Sequence, residues 1–158
     1  MEQMNNQHLQ DVPFILLADD DPDDRDLVKK AFNKTGLPYV FDTVGDGREL
    51  VDYLADITEH SPNKRYPSLI LLDLNMPRLS GLEALCMIRQ HAVTQYIPVV
   101  IFSTTSSEED IQTSYAAGCH SFIVKPLDFQ GLTQVLHNVY TYWFDTVEIR
   151  VHQSETIC

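Results

Sequence analysis

The sequence has few cysteines and no long apolar run. Its three cysteines, Cys86, Cys119 and Cys158, are widely spaced and odd in number, which excludes a disulfide framework and a paired-cysteine zinc site. Cys86 and Cys119 lie among apolar residues and are predicted to be reduced thiols in or near the core. Residues 1–10 have no Lys or Arg and no apolar segment, so no signal peptide is expected. No apolar run approaches the roughly 18 residues of a membrane span. We therefore expect a cytoplasmic protein without a membrane contact.

Positive charge is also scarce. The chain has 11 Lys and Arg against 23 Asp and Glu, which gives a formal net charge of −12. Nucleic-acid binders neutralise phosphates with clustered cations, so this composition disfavours nucleic acid and anionic membranes as partners. Apolar residues make up 44% of the chain, enough for a packed core and too many for a disordered acidic tail. The acids are concentrated in one segment, which contains Asp19, Asp20, Asp21, Asp23, Asp24 and Asp26.

Short β-type runs alternate with longer helical patterns along the chain. The predicted strands are 14–18, 39–44, 68–72, 99–102 and 121–124. Helical patterns follow them and begin near residues 22, 46, 80, 106 and 128. Five β–α units in succession predict the α/β class, with a doubly wound, five-stranded parallel sheet and helices on both faces.

Two stretches do not fit this alternation. Residues 58–67 are polar and contain two prolines, which predicts a loop. Val147, Ile149 and Val151 alternate with polar residues, a period typical of an edge strand or an arm. We expect a flexible N-terminus at 1–11, one domain at 12–145 and a C-terminal extension at 146–158.

Polar side chains follow the predicted strands, where open α/β sheets bind their ligands. The residues after strands one, three, four and five are Asp19-Asp20-Asp21, Asp73, Ser103-Thr104-Thr105 and Lys125-Pro126. If strands one and three are neighbours, two of these carboxylates about 5 Å apart repel by roughly 3 kcal/mol at an effective dielectric of 20. A hard divalent cation removes this repulsion, and oxygen ligands suit Mg²⁺. Metal, ammonium and hydroxyl groups around one carboxylate favour phosphoryl transfer, in which Asp can be the nucleophile.

At these strand ends the sequence resembles the CheY-like receiver domain of two-component response regulators. The matching stretches are Leu16 to Asp21, Leu71 to Pro77, Pro98 to Ser103 and Val124 to Pro126. Each stretch alone is a weak signal, but all four in this order, each at a predicted strand, are specific. The resemblance covers roughly residues 12–142. It implies a flavodoxin-like sheet with strand order 2-1-3-4-5.

The resemblance assigns roles to residues at the predicted site. Asp73 is the implied phosphoacceptor. Asp19 and Asp20 match the acidic pair that binds Mg²⁺, and Asp73 together with the backbone carbonyl of Asn75 completes the implied protein ligands. Lys125 matches the active-site lysine of the family. The resemblance therefore implies one catalytic carboxylate, one bound Mg²⁺ and one lysine.

Further residues match positions that transmit or tune the signal in the family. Ser103 matches the switch hydroxyl, and Phe122 stands at the aromatic switch position, where Tyr is commoner. Asn75 and Thr105 occupy two variable positions that tune the rate of dephosphorylation. The peptide bond before Pro126 is usually cis in the family.

Two features narrow the resemblance to a subgroup. The segment between the acid pair and Asp73 is longer than in the simplest receivers, with the excess near residues 58–67. The end of the fifth helical pattern, residues 140–144, is rich in aromatic residues. Both features resemble single-domain response regulators that include partners of cyanobacterial phytochromes. In that subgroup the C-terminal region contributes to a homodimer, so the resemblance implies dimerisation through residues 146–158.

The first functional hypothesis is a signalling module that catalyses only its own phosphorylation and dephosphorylation. A sensor histidine kinase, of phytochrome type in the matching subgroup, donates the phosphoryl group to Asp73. Only 16 residues follow Tyr142, so we expect no output domain. The signal is then expected to leave by binding another protein or by transfer of the phosphoryl group.

Two alternatives and one simpler explanation stay open. An Mg²⁺-dependent phosphatase with an Asp nucleophile fits the Asp19-x-Asp21 spacing, although the sequence has no recognisable cap domain or later acidic motif. A pseudo-receiver that only binds partners is disfavoured by the intact acid pair, Asp73 and Lys125. Three further acids are explained by their position at the start of a helix, where the helix dipole favours negative charge, and these are Asp23, Asp24 and Asp26.

Overall fold

Five parallel strands form the centre of the molecule. In the computed structural model, which describes residues 12–61 and 64–146, the strands are β1 (Phe14–Ala18), β2 (Val40–Val44), β3 (Leu69–Leu72), β4 (Val99–Ser103) and β5 (Ser121–Val124). They are ordered β2-β1-β3-β4-β5, and every neighbouring pair is parallel. This arrangement confirms the predicted doubly wound, flavodoxin-like α/β fold.

Five α-helices cover the two faces of the sheet. They are α1 (Pro22–Thr35), α2 (Gly47–Glu59), α3 (Gly81–Gln90), α4 (Glu108–Ala116) and α5 (Phe129–Tyr140). A short 3-10 helix at Thr94–Tyr96 precedes β4, and a π-helical segment at Thr141–Thr146 follows α5. None of the helices within the described ranges has the length and apolar content needed to cross a membrane.

The sheet is buried because its central strands are apolar on both faces. Every residue of β1, β3 and β4 is buried, as expected for continuous apolar runs in a parallel sheet. Alternate residues of β1 point to opposite sides. Leu16 packs in a cluster with Leu50 of α2 and Leu85 of α3, whereas Leu17 packs in a second cluster with Phe32 of α1 and Leu136 of α5.

All five α-helices begin at a side chain that caps the first turn. The N-cap residues are Asp21, Asp46, Ser80, Ser107 and Asp128, and each accepts a hydrogen bond from a backbone N–H that the helix itself leaves unpaired. Ser80 and Glu83 form a reciprocal capping box. The Glu49 carboxylate accepts from the N–H of Gly45 at 2.6 Å, just before α2.

Several local expectations are corrected. Helix α2 continues to Glu59 and takes up the start of the predicted 58–67 loop. Cys119 is buried as expected, but Cys86 is exposed. In α3 the side chains of Leu85 and Ile88 face the core, and Cys86 lies on the opposite, solvent-facing side of the helix. The Val147 to Val151 alternation, the N-terminus at 1–11 and nearly all of the 146–158 extension lie outside the described residues.

The aromatic residues near the end of α5 are mostly taken up by the core of the same chain. Tyr140 and Trp143 are buried, and Phe144 packs against their cluster. The Tyr140 hydroxyl donates to the carbonyl of Pro38 at 2.7 Å. Tyr142 alone of this group stays more than half exposed. The core of the chain therefore accounts for most of the aromatic residues in this segment.

Candidate functional site

Three carboxylates meet at the carboxyl edge of the sheet. Asp19 follows β1 and is fully buried, Asp73 follows β3 and is buried, and Asp20 is exposed. One oxygen from each lies within 4.8 Å of the others. The parallel pairing of Ala18 with Leu72 places the following residues side by side. The predicted acidic pair and Asp73 are thus brought together, at a separation close to the expected one.

Lys125 reaches into this group of carboxylates from the end of β5. Its Nζ lies 2.6 Å from Asp19 Oδ2, 3.4 Å from Asp73 Oδ2 and 3.5 Å from Asp24 Oδ2. The lysine side chain is only 9% exposed, so water screens these contacts weakly. Lys125 thus forms ion pairs with both Asp19 and Asp73, and Asp19 is the nearer partner.

Burial and the neighbouring charges together shift the pKa values of Asp73 and Lys125. Burial raises the pKa of the Asp73 carboxyl, the Lys125 ammonium lowers it and the neighbouring Asp19 raises it, with a net rise. Burial lowers the pKa of Lys125, but the hydrogen bond to Asp19 and the charges of the surrounding carboxylates outweigh burial and raise it. The raised pKa of Lys125 keeps its ammonium group charged at neutral pH. The raised pKa of Asp73 means that, without a further cation, the site disfavours the ionised carboxylate.

Sequence reasoning missed two contacts made by the start of α1. Asp24 was explained only as a helix-start acid, yet its carboxylate contacts Lys125. Arg25 donates from Nη1 to the backbone carbonyl of Asp19 at 2.6 Å. Asp24 lies in the first turn of α1, after the N-cap Asp21, and no pattern in the sequence distinguishes it from the other acids at this helix start.

The predicted switch hydroxyl and the tuning residues lie at the carboxyl ends of β3 and β4. Ser103 is fully buried at the end of β4, and its Oγ accepts from the N–H of Thr105 at 3.5 Å. The Thr105 hydroxyl donates to Asp110 at 3.0 Å, at the start of α4. Asn75 is exposed, and its N–H donates to Asp73 Oδ1 at 3.4 Å.

Phe122 lies on β5, away from the carboxylates. Its ring is half-buried against the cluster that contains α2 and α3. Its backbone N–H donates to the hydroxyl of Tyr115 on α4 at 3.2 Å. The peptide bond before Pro126 is trans, as are all peptide bonds of the described residues, so the cis bond that is usual in the family is not found here.

Two glycines let the loop after Asp73 pack closely on its neighbours. A Cβ at Gly81 would lie 2.0 Å from the backbone oxygen of Asp73. A Cβ at Gly47 would lie 2.2 Å from the backbone oxygen of Leu79. Both contacts are far inside van der Waals distance, so only glycine fits at these positions. The main chain of the site is therefore fixed by the first residues of α2 and α3.

Replacing Gly81 with Ala is expected to destabilise the protein by about 1–3 kcal/mol, because the new methyl group forces the Asp73 main chain or α3 to move. Urea unfolding followed by circular dichroism measures the effect. Gly45→Ala is the matched control, since its Cβ would meet only the flexible side-chain ends of Glu49, at 3.3 Å, and of Arg25, at 3.5 Å. Equal stability of the Gly81→Ala variant and the control would contradict this view of the loop.

The chain matches known proteins over most of its length. The family model for the response regulator receiver domain matches residues 15–137. The probable methanogenesis regulatory protein FilR2 of Methanothrix harundinacea is 31% identical over 132 residues, which cover 83% of this chain and 84% of FilR2. Response regulator Rcp1 of Synechocystis is 30% identical over 135 residues, which cover 85% of this chain and 91% of Rcp1.

Solved structures give the same result. The crystal structure of the phosphorylated cyanobacterial phytochrome response regulator RcpA superposes with a TM-score of 0.81 at 32% identity, covering 89% of this chain and 99% of RcpA. The Mn²⁺-bound form of Rcp1 superposes with a TM-score of 0.74 at 28% identity, covering 88% of this chain and 99% of Rcp1. With its sheet order, its carboxylate group and these matches, the chain belongs to the response regulator receiver domain family and is a two-component signalling protein.

Proposed function

We propose that the chain is a response regulator in which Asp73 accepts a phosphoryl group from a sensor histidine kinase with the help of Mg²⁺. The observation that carries this proposal is the convergence of Asp19, Asp20, Asp73 and Lys125 at one edge of the sheet. Such a group places a nucleophile, a cation site and an ammonium within reach of one phosphoryl group. Positioning and charge neutralisation are most of what phosphoryl transfer requires.

The metal ligands in this proposal are the carboxylates of Asp19, Asp20 and Asp73 and the backbone carbonyl of Asn75. Three carboxylates within 4.8 Å of one another form a hard, all-oxygen donor set, which suits Mg²⁺ or Mn²⁺. The relative Rcp1 has been solved with Mn²⁺ bound, which supports a divalent cation here. When bound, the cation supplies positive charge that neutralises the phosphoryl oxygens.

The chain's own residues perform the transfer step. A carboxylate oxygen of Asp73 attacks the phosphorus of a phosphohistidine, so that an O–P bond forms while the N–P bond breaks and its electron pair returns to the imidazole. Lys125, already 3.4 Å from Asp73, holds the transferred group as a point charge. The buried Ser103 hydroxyl turns from Thr105 towards the phosphoryl group.

The resemblance to the family gives the remaining roles in this proposal to three residues. Phe122 responds to the movement of the Ser103 hydroxyl, and its backbone contact with Tyr115 connects it to α4. Asn75 and Thr105 flank the carboxylate group and tune the rate at which water removes the phosphoryl group. The α4–β5–α5 face changes as a result, and this change is the signal that a downstream protein or phosphotransfer partner reads.

The partners and location in this proposal follow from the family. The phosphodonor is a sensor kinase, and the matches to RcpA and Rcp1 support one of phytochrome type. The kinase forms phosphohistidine in the cytoplasm, so we place this chain there. We divide it into a flexible N-terminus at 1–11, a receiver domain at 12–145 and a C-terminal extension at 146–158 that supports a homodimer.

Phosphorylation by acetyl phosphate tests the proposed function. With Mg²⁺ present, the chain is expected to gain one phosphoryl group, seen as added mass that is lost at alkaline pH. In EDTA the yield is expected to fall at least about tenfold, because neutralisation by the metal is lost. Equal labelling with and without divalent cation would contradict the metal site. Turnover of free phosphomonoesters without a stable label would instead favour the phosphatase alternative.

Removal of residues 146–158 is expected to convert the dimer to a monomer. In the extension, apolar residues alternate with polar ones, so one side of it could pack on a second copy of the chain. Most aromatic residues just before the extension already pack in the core of their own chain. Sedimentation equilibrium of the full chain and the shortened chain, each with and without phosphodonor, measures the change. A shortened chain that dimerises as tightly as the full chain would contradict a role for the extension.

A further inference from the structure

Arg78 adopts a backbone conformation that is unusual for a residue with a side chain. Its φ is 64°, and among the described residues it is the only non-glycine with a positive φ. This left-handed region strains residues that carry a side chain, although Asn and Asp tolerate it better than the others. Glycine would occupy this position without strain. The presence of Arg therefore calls for a contact that offsets the unfavourable backbone.

That contact is an ion pair with the first residue of a neighbouring helix. Arg78 Nη2 lies 2.7 Å and Nε 2.8 Å from Asp46 Oδ2. The Asp46 side chain is only 9% exposed, and its other oxygen, Oδ1, accepts from the N–H of Glu49 at 2.9 Å. Glu49 Oε1 is a more distant partner of Arg78, at 3.8 Å. Asp46 thus uses one oxygen to cap α2 and the other to hold Arg78.

The ion pair fixes one end of the loop that follows Asp73. Next to it, the N–H of Gly47 donates to the carbonyl of Leu79 at 3.2 Å. At the other end of the loop, the N–H of Gly81 donates to the carbonyl of Leu74 at 2.9 Å. Asn75 lies between these two anchored ends. Its main chain has one further direct contact with the site, from its N–H to Asp73 Oδ1.

We propose that Arg78 and Asp46 are positioning residues for the divalent cation. Their ion pair holds the loop of residues 74–80 in the conformation that presents the Asn75 backbone carbonyl to the carboxylates of Asp19, Asp20 and Asp73. The inference rests on the metal site of the proposed function and adds two residues that do not touch the metal. Residues that orient ligands from outside the coordination shell raise metal affinity by about 10–100-fold.

For Arg78, a purely electrostatic effect on cation affinity has the opposite sign to the effect of a positioning role. Removal of the positive charge of Arg78 would make the acidic site more negative and would tighten divalent-cation binding. Removal of the anchor would loosen the loop and weaken binding. The sign of the change for Arg78→Gly therefore separates a positioning role from a charge effect. The glycine also relieves the left-handed backbone, so the fold loses little stability.

The experiment measures Mn²⁺ binding to the full chain by electron paramagnetic resonance of free Mn²⁺ at 0.2 M salt. We expect Arg78→Gly and Asp46→Asn each to weaken binding about tenfold, and the double variant to be no weaker than the single variants, because both break the same anchor. Asn can still cap α2. Arg48→Ala is the control, since the Arg48 side chain forms its ion pair with the exposed Asp52 on α2.

Thermal midpoints without metal, measured on the same samples, verify that the variants fold. The proposal would be overturned if the Arg78→Gly variant bound Mn²⁺ as tightly as the wild-type chain or more tightly. It would also be overturned if the losses of Mn²⁺ affinity in the two single variants added up in the double variant. If Arg78→Gly fails to fold, Asp46→Asn alone decides, and unchanged affinity in that variant overturns the proposal. A wild-type chain that binds no Mn²⁺ contradicts the metal site itself and the positioning role with it.

Discussion

Replacement of Asp73 with Asn is expected to abolish phosphorylation of the chain by both acetyl phosphate and a phosphorylated sensor kinase. Asp73 belongs to the carboxylate group at the sheet edge and lies 3.4 Å from Lys125, and an amide oxygen is a much weaker nucleophile. Loss of a nucleophile removes catalysis by several orders of magnitude, so we expect labelling to fall by more than about 100-fold. Intact-mass measurement with Mg²⁺ present quantifies the label.

Asp23→Asn provides the matched control for this experiment. Asp23 belongs to the same acidic segment but is exposed and lies in the first turn of α1. Its replacement removes one negative charge without removing a member of the carboxylate group. We expect wild-type labelling. Base-labile label that persists on the Asp73→Asn variant would rule out Asp73 as the acceptor.

Replacement of Lys125 with Met is expected to cause the largest loss of stability, about 3–5 kcal/mol at pH 7 without metal. The buried carboxylates of Asp19 and Asp73 would then share no cation, while Met preserves most of the side-chain volume. Urea unfolding of the metal-free chain measures the loss. Lys30→Met, an exposed position on α1, serves as control and is expected to change stability by less than about 0.5 kcal/mol.

The pH dependence separates lost charge from lost packing in this variant. The pKa of Lys125 is raised on folding, so its contribution is complete at pH 7 and is lost only as pH rises through that raised value. The pKa of Asp73 is also raised, so acid protonates Asp73 early and removes the unpaired charge. We expect the deficit to shrink towards pH 4, and to shrink at pH 7 when Mg²⁺ is added. A deficit that is independent of pH and Mg²⁺ would contradict an electrostatic origin.

The fold and the centre of the site were predictable because each depends on a short local pattern. Continuous apolar runs are buried on both faces of a parallel sheet, and polar residues directly after such runs must meet at its carboxyl edge. This reasoning, together with the resemblance, identified Asp19, Asp20, Asp73 and Lys125. The structure brings these four residues together. Their chemical roles are proposals that the labelling experiments test.

Contacts between distant segments could not be predicted in the same way. The contact of Asp24 with Lys125 depends on how α1 is rotated on the sheet. The ion pair of Arg78 with Asp46 joins residues 32 positions apart and depends on a left-handed residue that no local pattern marks. Cys86 was misplaced because an apolar neighbourhood in the sequence says little about which side of a short helix faces water.

The weak packing of α4 determines where local unfolding of the molecule begins. Of its nine residues only Ser114 is buried, whereas α5 buries Leu132, Leu136, Val139 and Tyr140. Segments with few buried apolar groups unfold locally at the lowest free energy, and their amide protons exchange fastest with solvent. We therefore expect α4 to exchange before α3 and α5 in deuterated water. The proposed rearrangement that begins at Ser103 would therefore displace α4 more easily than α5.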